Sequence, residues 1–257
     1  MSSTWAMPSG SRDSWPDIYE RGRPGWPIEA AHVAGAPCPA TVLDLGAGTG
    51  KLTRILATEF ERVVAVEPSE PMRRLLARQC PGVEAHAGTG HDIPLADASV
   101  DAVYAAQSFH WFADADALAE IARVLRPRGA LVLLWNRPGG PWMPSTEFAE
   151  ELLLERMPSD VDHIPLDLGG PEAQSGWRPA VADTPFEDFE SKVLPNPQTL
   201  DREGLVAFYA SMGWLADLPD SERLPLLAEL RARLVAPEYS RHWETHAHWT
   251  RLSTKTR

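Results

Sequence analysis

The stretch Val42-Leu43-Asp44-Leu45-Gly46-Ala47-Gly48-Thr49-Gly50 is decisive for the fold. Apolar residues that end in three closely spaced glycines predict a strand, a tight turn and the start of a helix. Glycines let the backbone approach a ligand, and the free N–H groups of a helix start face it, so we expect a nucleotide-like ligand here. The spacing G-x-G-x-G departs from the dinucleotide fingerprint G-x-G-x-x-G, and an ordinary tight turn would also require glycine.

Strand and helix patterns alternate around this loop, which indicates βαβ units and a parallel sheet. The predicted strands are 41–45, 62–66, 83–86, 100–105 and 130–135. Two helix faces follow the i, i+3, i+4 spacing, one with Leu52, Ile55, Leu56 and Phe60 and the other with Leu118, Ile121, Ala122 and Leu125. We expect the second helix to stop at Pro127 and Gly129. These patterns predict a doubly wound α/β core.

The rest of the chain opens with the breaker cluster Pro138, Gly139, Gly140, Pro141 and Pro144. Periodicity then predicts helices over 146–157, 201–212 and 221–234 and strands over 188–194 and 241–250. We therefore expect a Rossmann-like, seven-stranded, mostly parallel sheet with a helical lid insertion. The expected parts are an N-terminal helical arm (1–40), a cofactor-binding α/β core (41–140), a helical lid with the sixth strand (141–240), and a final strand with a tail (241–257).

Composition narrows the classes of partner. The 257 residues include 24 Lys and Arg against 36 Asp and Glu, a formal net charge of -12, so we expect no nucleic acid partner. Two cysteines, Cys38 and Cys80, are too few for a disulfide framework. The sequence has neither a signal-peptide pattern nor an apolar run long enough for a membrane span. We therefore expect a cytoplasmic protein with no membrane partner.

A second feature points to the same ligand as the glycine loop. Glu67 closes the second predicted strand 21 residues after Gly46, where an acidic side chain reaches the ribose hydroxyls of a ligand that lies across the strand ends. With this residue the sequence resembles the class I S-adenosylmethionine-dependent methyltransferases, in particular the small-molecule group of ubiquinone-biosynthesis and trans-aconitate methyltransferase-like enzymes. The resemblance rests on residues 42–50, 63–72, 88–95 with 99–103, 107–112 and 123–136. It covers 15–136 well and the remainder loosely.

The resemblance implies a set of residues that bind S-adenosylmethionine. The glycine loop carries the methionine part, Glu67 binds the ribose, and the segment after the third strand frames the adenine. The implied cofactor-binding residues are Asp44, Gly46, Ala47, Gly48, Gly50, Glu67, Pro68, Met72, Thr89, Gly90, His91, Asp92, Gln107 and Arg23. The family often has an acidic residue at the position of His91. It often has Asp or Ser at the position of Thr89. Asp92 is either the adenine contact or a cap of the local turn.

Residues after the fourth strand are expected near the acceptor. The run Gln107-Ser108-Phe109-His110-Trp111-Phe112 lies at the carboxyl end of that strand, where open α/β sheets bind ligands. His110 is the candidate general base, since its unperturbed pKa lies near 6.5, or else it orients the loop. The aromatic residues either line the acceptor chamber or pack the loop.

The segment Tyr19-Glu20-Arg21-Gly22-Arg23-Pro24-Gly25-Trp26-Pro27 resembles the family's arm over the cofactor. Tyr19 is a second candidate catalytic residue, and Arg23 pairs with a carboxylate of the cofactor or of a neighbour. The alternative is a docking arm held by packing. The candidate substrate-binding residues are Trp26, His110, Trp111, Arg137, Trp142 and Trp214, although the tryptophans, like Trp177, could equally be core.

These observations predict S-adenosylmethionine-dependent methyl transfer (EC 2.1.1) to a small-molecule acceptor by a monomer or homodimer. O-methylation of a hydroxyl or phenol is favoured over carboxyl methylation of an organic acid and over N- or C-methylation. A nicotinamide-dependent oxidoreductase and a noncatalytic cofactor-binding protein are rivals from other classes. His242, His246 and His248 form one strand face, so we expect no metal site. The tetrapeptide typical of DNA amino methylation is absent after the fourth strand.

Overall fold

A computed structural model describes residues 14–36, 40–139, 146–157, 177, 181 and 184–253. The chain divides into two compact units. Unit one consists of Met1–Gly25, Arg137–Gly170 and Pro195–Glu244, and unit two of Trp26–Asn136, Pro171–Leu194 and Thr245–Arg257. The four-part division expected from the sequence stays a prediction. Among the described residues, no helix combines the length and apolarity that crossing a membrane requires.

The sheet has seven strands, most of them parallel, which confirms the fold class expected from the sequence. The strands are β1 (Thr41–Leu45), β2 (Arg62–Val66), β3 (Glu84–His86), β4 (Val100–Ala106), β5 (Leu125–Pro138), β6 (Glu190–Leu200) and β7 (Tyr239–Arg251). Their order is β3-β2-β1-β4-β5-β7-β6. β1 pairs in parallel with β2 on one side and with β4 on the other. The chain therefore changes direction across the sheet between β1 and β4, at the kind of switch point where α/β proteins bind ligands.

Five of the described helices fall close to predicted ones, whereas the sequence predicts no bounds for the other three. They are α1 (Trp15–Gly22), α2 (Lys51–Glu59), α3 (Glu70–Gln79), α4 (Ala115–Val124), α5 (Glu147–Arg156), α6 (Arg202–Ala210), α7 (Gly213–Asp217) and α8 (Asp220–Arg233). Side chains cap three of them at the amino end: Ser69 accepts from Met72 N at 3.5 Å, Asp114 from Ala117 N at 2.9 Å and Asp201 from Gly204 N at 2.6 Å. Each cap accepts a hydrogen bond from a first-turn backbone N–H group that has no partner within its own helix.

The predicted junction between α4 and β5 was wrong. The helix ends at Val124, and Leu125 already belongs to β5, so Pro127 and Gly129 lie inside a strand instead of ending a helix. Val100 pairs with Leu125 but Ala102 pairs with Ala130, a register shift that accommodates the extra residues. Pairing with β4 therefore overrides the local stop signals. The face predicted for α2 also included Phe60, but the helix ends one residue earlier, at Glu59.

Opposite faces of the sheet in unit two pack against different helices. One core joins Leu43, Leu45, Val64 and Val66 to Leu118, Ile121 and Val124 of α4, and another joins Val42, Val63 and Tyr104 to Leu52 and Leu56 of α2. Burial on both faces explains why these strands are continuous apolar runs. Unit one has its own core, built from α5, α6, α7, α8 and β7.

Candidate active site

The glycine loop follows β1 as predicted and has the conformation that requires glycine. Gly46, Gly48 and Gly50 have φ values of 72°, 58° and 89°, all in the left-handed region. Val66 O accepts from Gly46 N at 2.8 Å and from Ala47 N at 3.1 Å, which fixes the loop to the end of β2. A Cβ on Gly48 would meet no atom within 4 Å, whereas one on Gly46 would lie 2.5 Å from Ser108 Cβ. The loop therefore has open space above Gly48, where a ligand can approach the backbone.

Glu67 ties the end of β2 to this loop. Its side chain is buried, and its carboxylate accepts from Ser69 N at 2.8 Å and from Gly48 N at 2.9 Å. Burial raises the pKa of Glu67, and the two backbone N–H groups oppose that rise. Arg73 donates to the carbonyl oxygens of Glu67 and Pro68, both at 2.6 Å. Glu67 thus lies beside the glycine loop, at the position that the resemblance gives to the ribose-binding residue.

Two buried oxygen atoms at this end of the sheet have no donor among the described residues. Asp44 is 1% exposed; its Oδ2 accepts from Thr53 Oγ1 at 2.6 Å, but its Oδ1 is unpaired. Burial, with a smaller contribution from the charge of Glu67, raises the pKa of Asp44 to about 7. Gln107, directly after β4, has a φ of 53° and an unpaired buried Oε1. Unpaired acceptors and a strained backbone together favour a ligand that donates hydrogen bonds, such as an ammonium group.

The segment after β3 forms a tight turn. Thr89 and Asp92 exchange backbone hydrogen bonds of 3.1 and 3.3 Å, so the backbone of Asp92 closes the turn. The His91 side chain pairs with Asp114 at 2.8 Å. Gly90 is buried, and a Cβ there would lie 2.4 Å from the ring of Phe112. The turn is therefore held against the loop that follows β4.

That loop contains His110 within a short 3-10 turn, Phe109–Trp111. Phe109 is fully buried, while Trp111 is 47% exposed and its ring centroid lies 4.8 Å from that of His110. The Nδ1 atom of His110 is buried and has no hydrogen-bond partner among the described residues. Burial lowers the pKa of His110 to about 4, so its imidazole is neutral near pH 7. A neutral ring with an unpaired nitrogen is able to accept a proton.

In the predicted arm segment, residues 19–25 belong to unit one, whereas Trp26 and Pro27 belong to unit two. Arg23 donates from Nε to Ser211 Oγ at 2.7 Å and from Nη2 to Ser211 O at 2.8 Å, and it lies over the rings of Tyr19 and Phe208. In this structure Arg23 is thus bound to a serine, where the sequence suggested a carboxylate. Trp26 packs against the α2 side of the unit two core.

The predicted residues divide between the two units. Unit two brings together Asp44, the glycine loop, Pro68 beside Glu67, the 89–92 turn, Gln107 and His110 around the ends of β1 to β4. Met72 is buried on α3. Tyr19, Arg23, Arg137 and Trp214 lie in unit one, so their place at the cofactor or acceptor stays a prediction. Arg137 has a buried Nε without a partner among the described residues, and Trp214 packs on the core of unit one. Trp142 and Cys38 lie outside the described residues.

Sequence reasoning missed several supporting side chains. Thr53 holds Asp44, Ser108 donates to Leu45 O at 2.8 Å beneath Gly46, and the Phe112 ring covers Gly90. Thr53 is the third residue after Gly50, and the sequence could not signal its contact with Asp44, because threonine is common on helix surfaces. His248 packs edge-on against Trp135 and Trp177. Within the described ranges, no group of three or more His, Cys, Asp or Glu side chains is arranged to hold a metal ion.

Comparison with known proteins identifies the family. A family model described as a methyltransferase domain matches residues 43–133. An uncharacterized methyltransferase of Mycobacterium tuberculosis is 51% identical over 118 residues, 46% of this chain and 49% of that protein, so the chain spans about half the length of this curated relative. An uncharacterized methyltransferase-like protein of Schizosaccharomyces pombe is 32% identical over 219 residues, 82% of this chain and 81% of the relative.

The solved structures agree with the sequence relatives. A structure of a candidate type II methyltransferase from Anaeromyxobacter dehalogenans is 27% identical, covers 91% of this chain and 99% of its own, and superposes with a TM-score of 0.65. The similarity to the Schizosaccharomyces pombe protein extends over most of both chains, beyond the α/β core alone. The protein therefore belongs to the class I S-adenosylmethionine-dependent methyltransferases.

Proposed function

We propose that the protein transfers the methyl group of S-adenosylmethionine to a small-molecule acceptor. The observation that supports this most is the meeting of Glu67 with the glycine loop: the carboxylate accepts from Gly48 N, and open space lies above Gly48. The glycine loop and the Glu67 carboxylate are therefore close enough to contact the same nucleoside-containing ligand. Family membership supports the same cofactor.

The residues of unit two fit the chemical groups of this cofactor. Asp44 Oδ1 and Gln107 Oε1 are unpaired acceptors that suit an α-ammonium group, and Glu67 suits the ribose hydroxyls. The backbone of Gly46, Ala47, Gly48 and Gly50 would border the methionine part. Pro68, Met72 and the turn Thr89-Gly90-His91-Asp92 would border the adenosine. Arg23 is a candidate for binding the carboxylate of the cofactor.

S-Adenosylmethionine supplies a sulfonium methyl group that is already an electrophile with a good leaving group. The protein then has to orient the acceptor and exclude water, and these two effects lower the barrier most. We propose that His110 accepts the proton of a hydroxyl or phenol acceptor at Nδ1, beside the exposed ring of Trp111. Tyr19, Trp26 and Trp214 remain candidates for contacts with the methyl donor or the acceptor.

Carboxyl methylation is the second candidate, and Arg137 favours it. This residue lies on β5 with its Nε buried and unpaired among the described residues, and a guanidinium suits a carboxylate. A carboxylate is ionised at neutral pH and needs no base. The two candidates therefore differ in whether activity depends on His110. N- and C-methylation stay predictions without a supporting contact, as do a cytoplasmic location and a monomer or homodimer.

The test is turnover with a panel of phenols, alcohols, carboxylic acids and amines, measured as release of S-adenosylhomocysteine. We expect release with at least one acceptor and none without acceptor. Binding of S-adenosylhomocysteine without turnover on any acceptor would favour a noncatalytic binding protein. Binding of NADH in place of S-adenosylhomocysteine would contradict the proposal and favour an oxidoreductase.

A further inference from the structure

Two buried carboxyl groups lie at neighbouring strand ends beside the glycine loop of unit two. Asp44 lies near the end of β1 and is 1% exposed, and Glu67 follows β2 and is 4% exposed. β1 pairs with β2 along its whole length, so both residues are at the same edge of the sheet. We call Asp44 and Glu67 the carboxyl pair. Burying two like charges near each other costs free energy unless hydrogen-bond donors or cations compensate each of them.

The two carboxyl groups have unequal sets of donors. Glu67 accepts from two backbone N–H groups, Ser69 N at 2.8 Å and Gly48 N at 2.9 Å. Asp44 accepts at Oδ2 from the hydroxyl group of Thr53 at 2.6 Å, and its Oδ1 has no donor among the described residues. Hydrogen bonds to a carboxylate favour its charged form, so the ionised form of Glu67 is favoured more strongly than that of Asp44. A proton taken up by the carboxyl pair therefore goes to Asp44.

The groups around the carboxyl pair are consistent with a proton on Asp44. Burial raises the pKa of Glu67, and its two N–H donors and the charge of Arg73 on α3 oppose that rise. Tyr104 of β4 lies beside Asp44 in the sheet; burial raises its pKa, so its hydroxyl group is neutral and donates to Ala31 O at 2.6 Å. Burial, with a smaller contribution from the charge of Glu67, raises the pKa of Asp44 to about 7. At about pH 7, roughly half of the Asp44 side chains are therefore protonated in the protein without cofactor.

We propose that the carboxyl pair exchanges the proton on Asp44 for the α-ammonium group of the cofactor. This inference rests on the proposed binding of S-adenosylmethionine, and it explains how the site would select ligands with a cationic tail. On binding, Asp44 ionises, its proton passes to the solvent, and its Oδ1 accepts a hydrogen bond from the ammonium group. No covalent bond of the ligand changes. Because the proton and the ammonium group carry the same charge, the buried site keeps its net charge when the tail enters.

The exchange predicts that cofactor affinity depends on pH. At low pH the proton has to leave Asp44 before the ammonium group binds, whereas at high pH Asp44 is already ionised. From about pH 6 to about pH 8, the dissociation constant of S-adenosylhomocysteine, which has the same amino-acid tail, should fall about tenfold. A constant dissociation constant over this range would contradict the exchange.

Calorimetric titration in two buffers counts the protons directly. PIPES and imidazole differ in the heat of proton uptake, so the difference between the two binding heats gives the number of protons released. For the wild type we expect release of about half a proton per bound S-adenosylhomocysteine at about pH 7, and more at about pH 6. 5′-Methylthioadenosine, the same nucleoside without the amino-acid tail, should release none. Equal heats for S-adenosylhomocysteine in the two buffers, or equal proton release by both ligands, would overturn the proposal.

Asp44→Asn removes the titrating group and keeps an oxygen that accepts from Thr53. This variant should release no proton on binding S-adenosylhomocysteine, whereas Asp116→Asn, at an exposed carboxylate of α4, is the matched control and should release as many as the wild type. If Asp44→Asn does not fold, the wild-type titrations still decide, because they use no variant. Absence of S-adenosylhomocysteine binding to the wild type refutes the proposed methyl transfer, whereas binding without proton release refutes the exchange alone.

Discussion

Replacing Asp44 by asparagine should remove a specific pH dependence of stability in the protein without cofactor. Burial raises the pKa of Asp44 from 3.8 to about 7. Because the folded state then holds this proton more tightly than the unfolded state, the contribution to stability is complete below about pH 4 and is lost as the pH rises through about 7. From about pH 5 to about pH 8 the linkage relation gives a loss of about 2–3 kcal/mol in the free energy of unfolding.

The assay is urea denaturation of the wild type and Asp44→Asn at several pH values in that window. Asparagine keeps an oxygen that accepts from Thr53 Oγ1, so the variant should fold. The difference in unfolding free energy between the two proteins should change with pH by the amount above, in favour of the variant at high pH. Asp116→Asn, at an exposed carboxylate of α4, is the control and should follow the wild type. Parallel curves for wild type and Asp44→Asn would refute the reasoning.

Three further variants test the site. Glu67→Ala should weaken S-adenosylhomocysteine binding at least about tenfold, because charge-assisted hydrogen bonds to the ribose are worth about 1.5–3 kcal/mol each. Glu70→Ala, on the surface, is the control and should not weaken binding. Equal affinities of wild type and Glu67→Ala in calorimetry would place the cofactor elsewhere. Gly48→Val should abolish binding, since the side chain fills the open space at a positive φ, whereas Gly213→Ala should bind normally; intact binding would make the loop an ordinary turn. His110→Ala should lower turnover of a hydroxyl acceptor about 10²- to 10⁴-fold with cofactor affinity retained. Wild-type activity should rise with pH through about 4 and be flat near neutrality, and an active alanine variant would shift the acceptor to a carboxylate.

Local patterns predicted β1, β2 and β4 because these strands are short, mostly apolar runs near helix signals. β1 and β2 have the predicted bounds, and β7 extends the predicted alternation by two residues at one end and one at the other. The glycine spacing likewise predicted a tight turn, which the positive φ values confirm. In each case the residues that determine the structure lie next to one another in the chain.

Features that depend on distant residues could not be predicted. β5 begins at Leu125 because Leu125 pairs with Val100 of β4, 25 residues earlier in the chain. The local signal at Pro127 therefore wrongly predicted the end of a helix at that residue. The alternation in β7 places Arg241 and Trp243 on the same face of the strand. Arginine is usually exposed, so the sequence alone could not predict that Arg241 is buried against Phe208. The partner of Arg23, Ser211, is 188 residues away in the chain.

Calorimetric titration of the wild type with S-adenosylhomocysteine, compared with NADH under the same conditions, tests the central claim most directly. One molecule of S-adenosylhomocysteine should bind per chain, and NADH should not bind, because the glycine loop and Glu67 suit a single nucleoside with an amino-acid tail. Binding of NADH, or no binding of S-adenosylhomocysteine, would contradict the assignment of methyl transfer to this site.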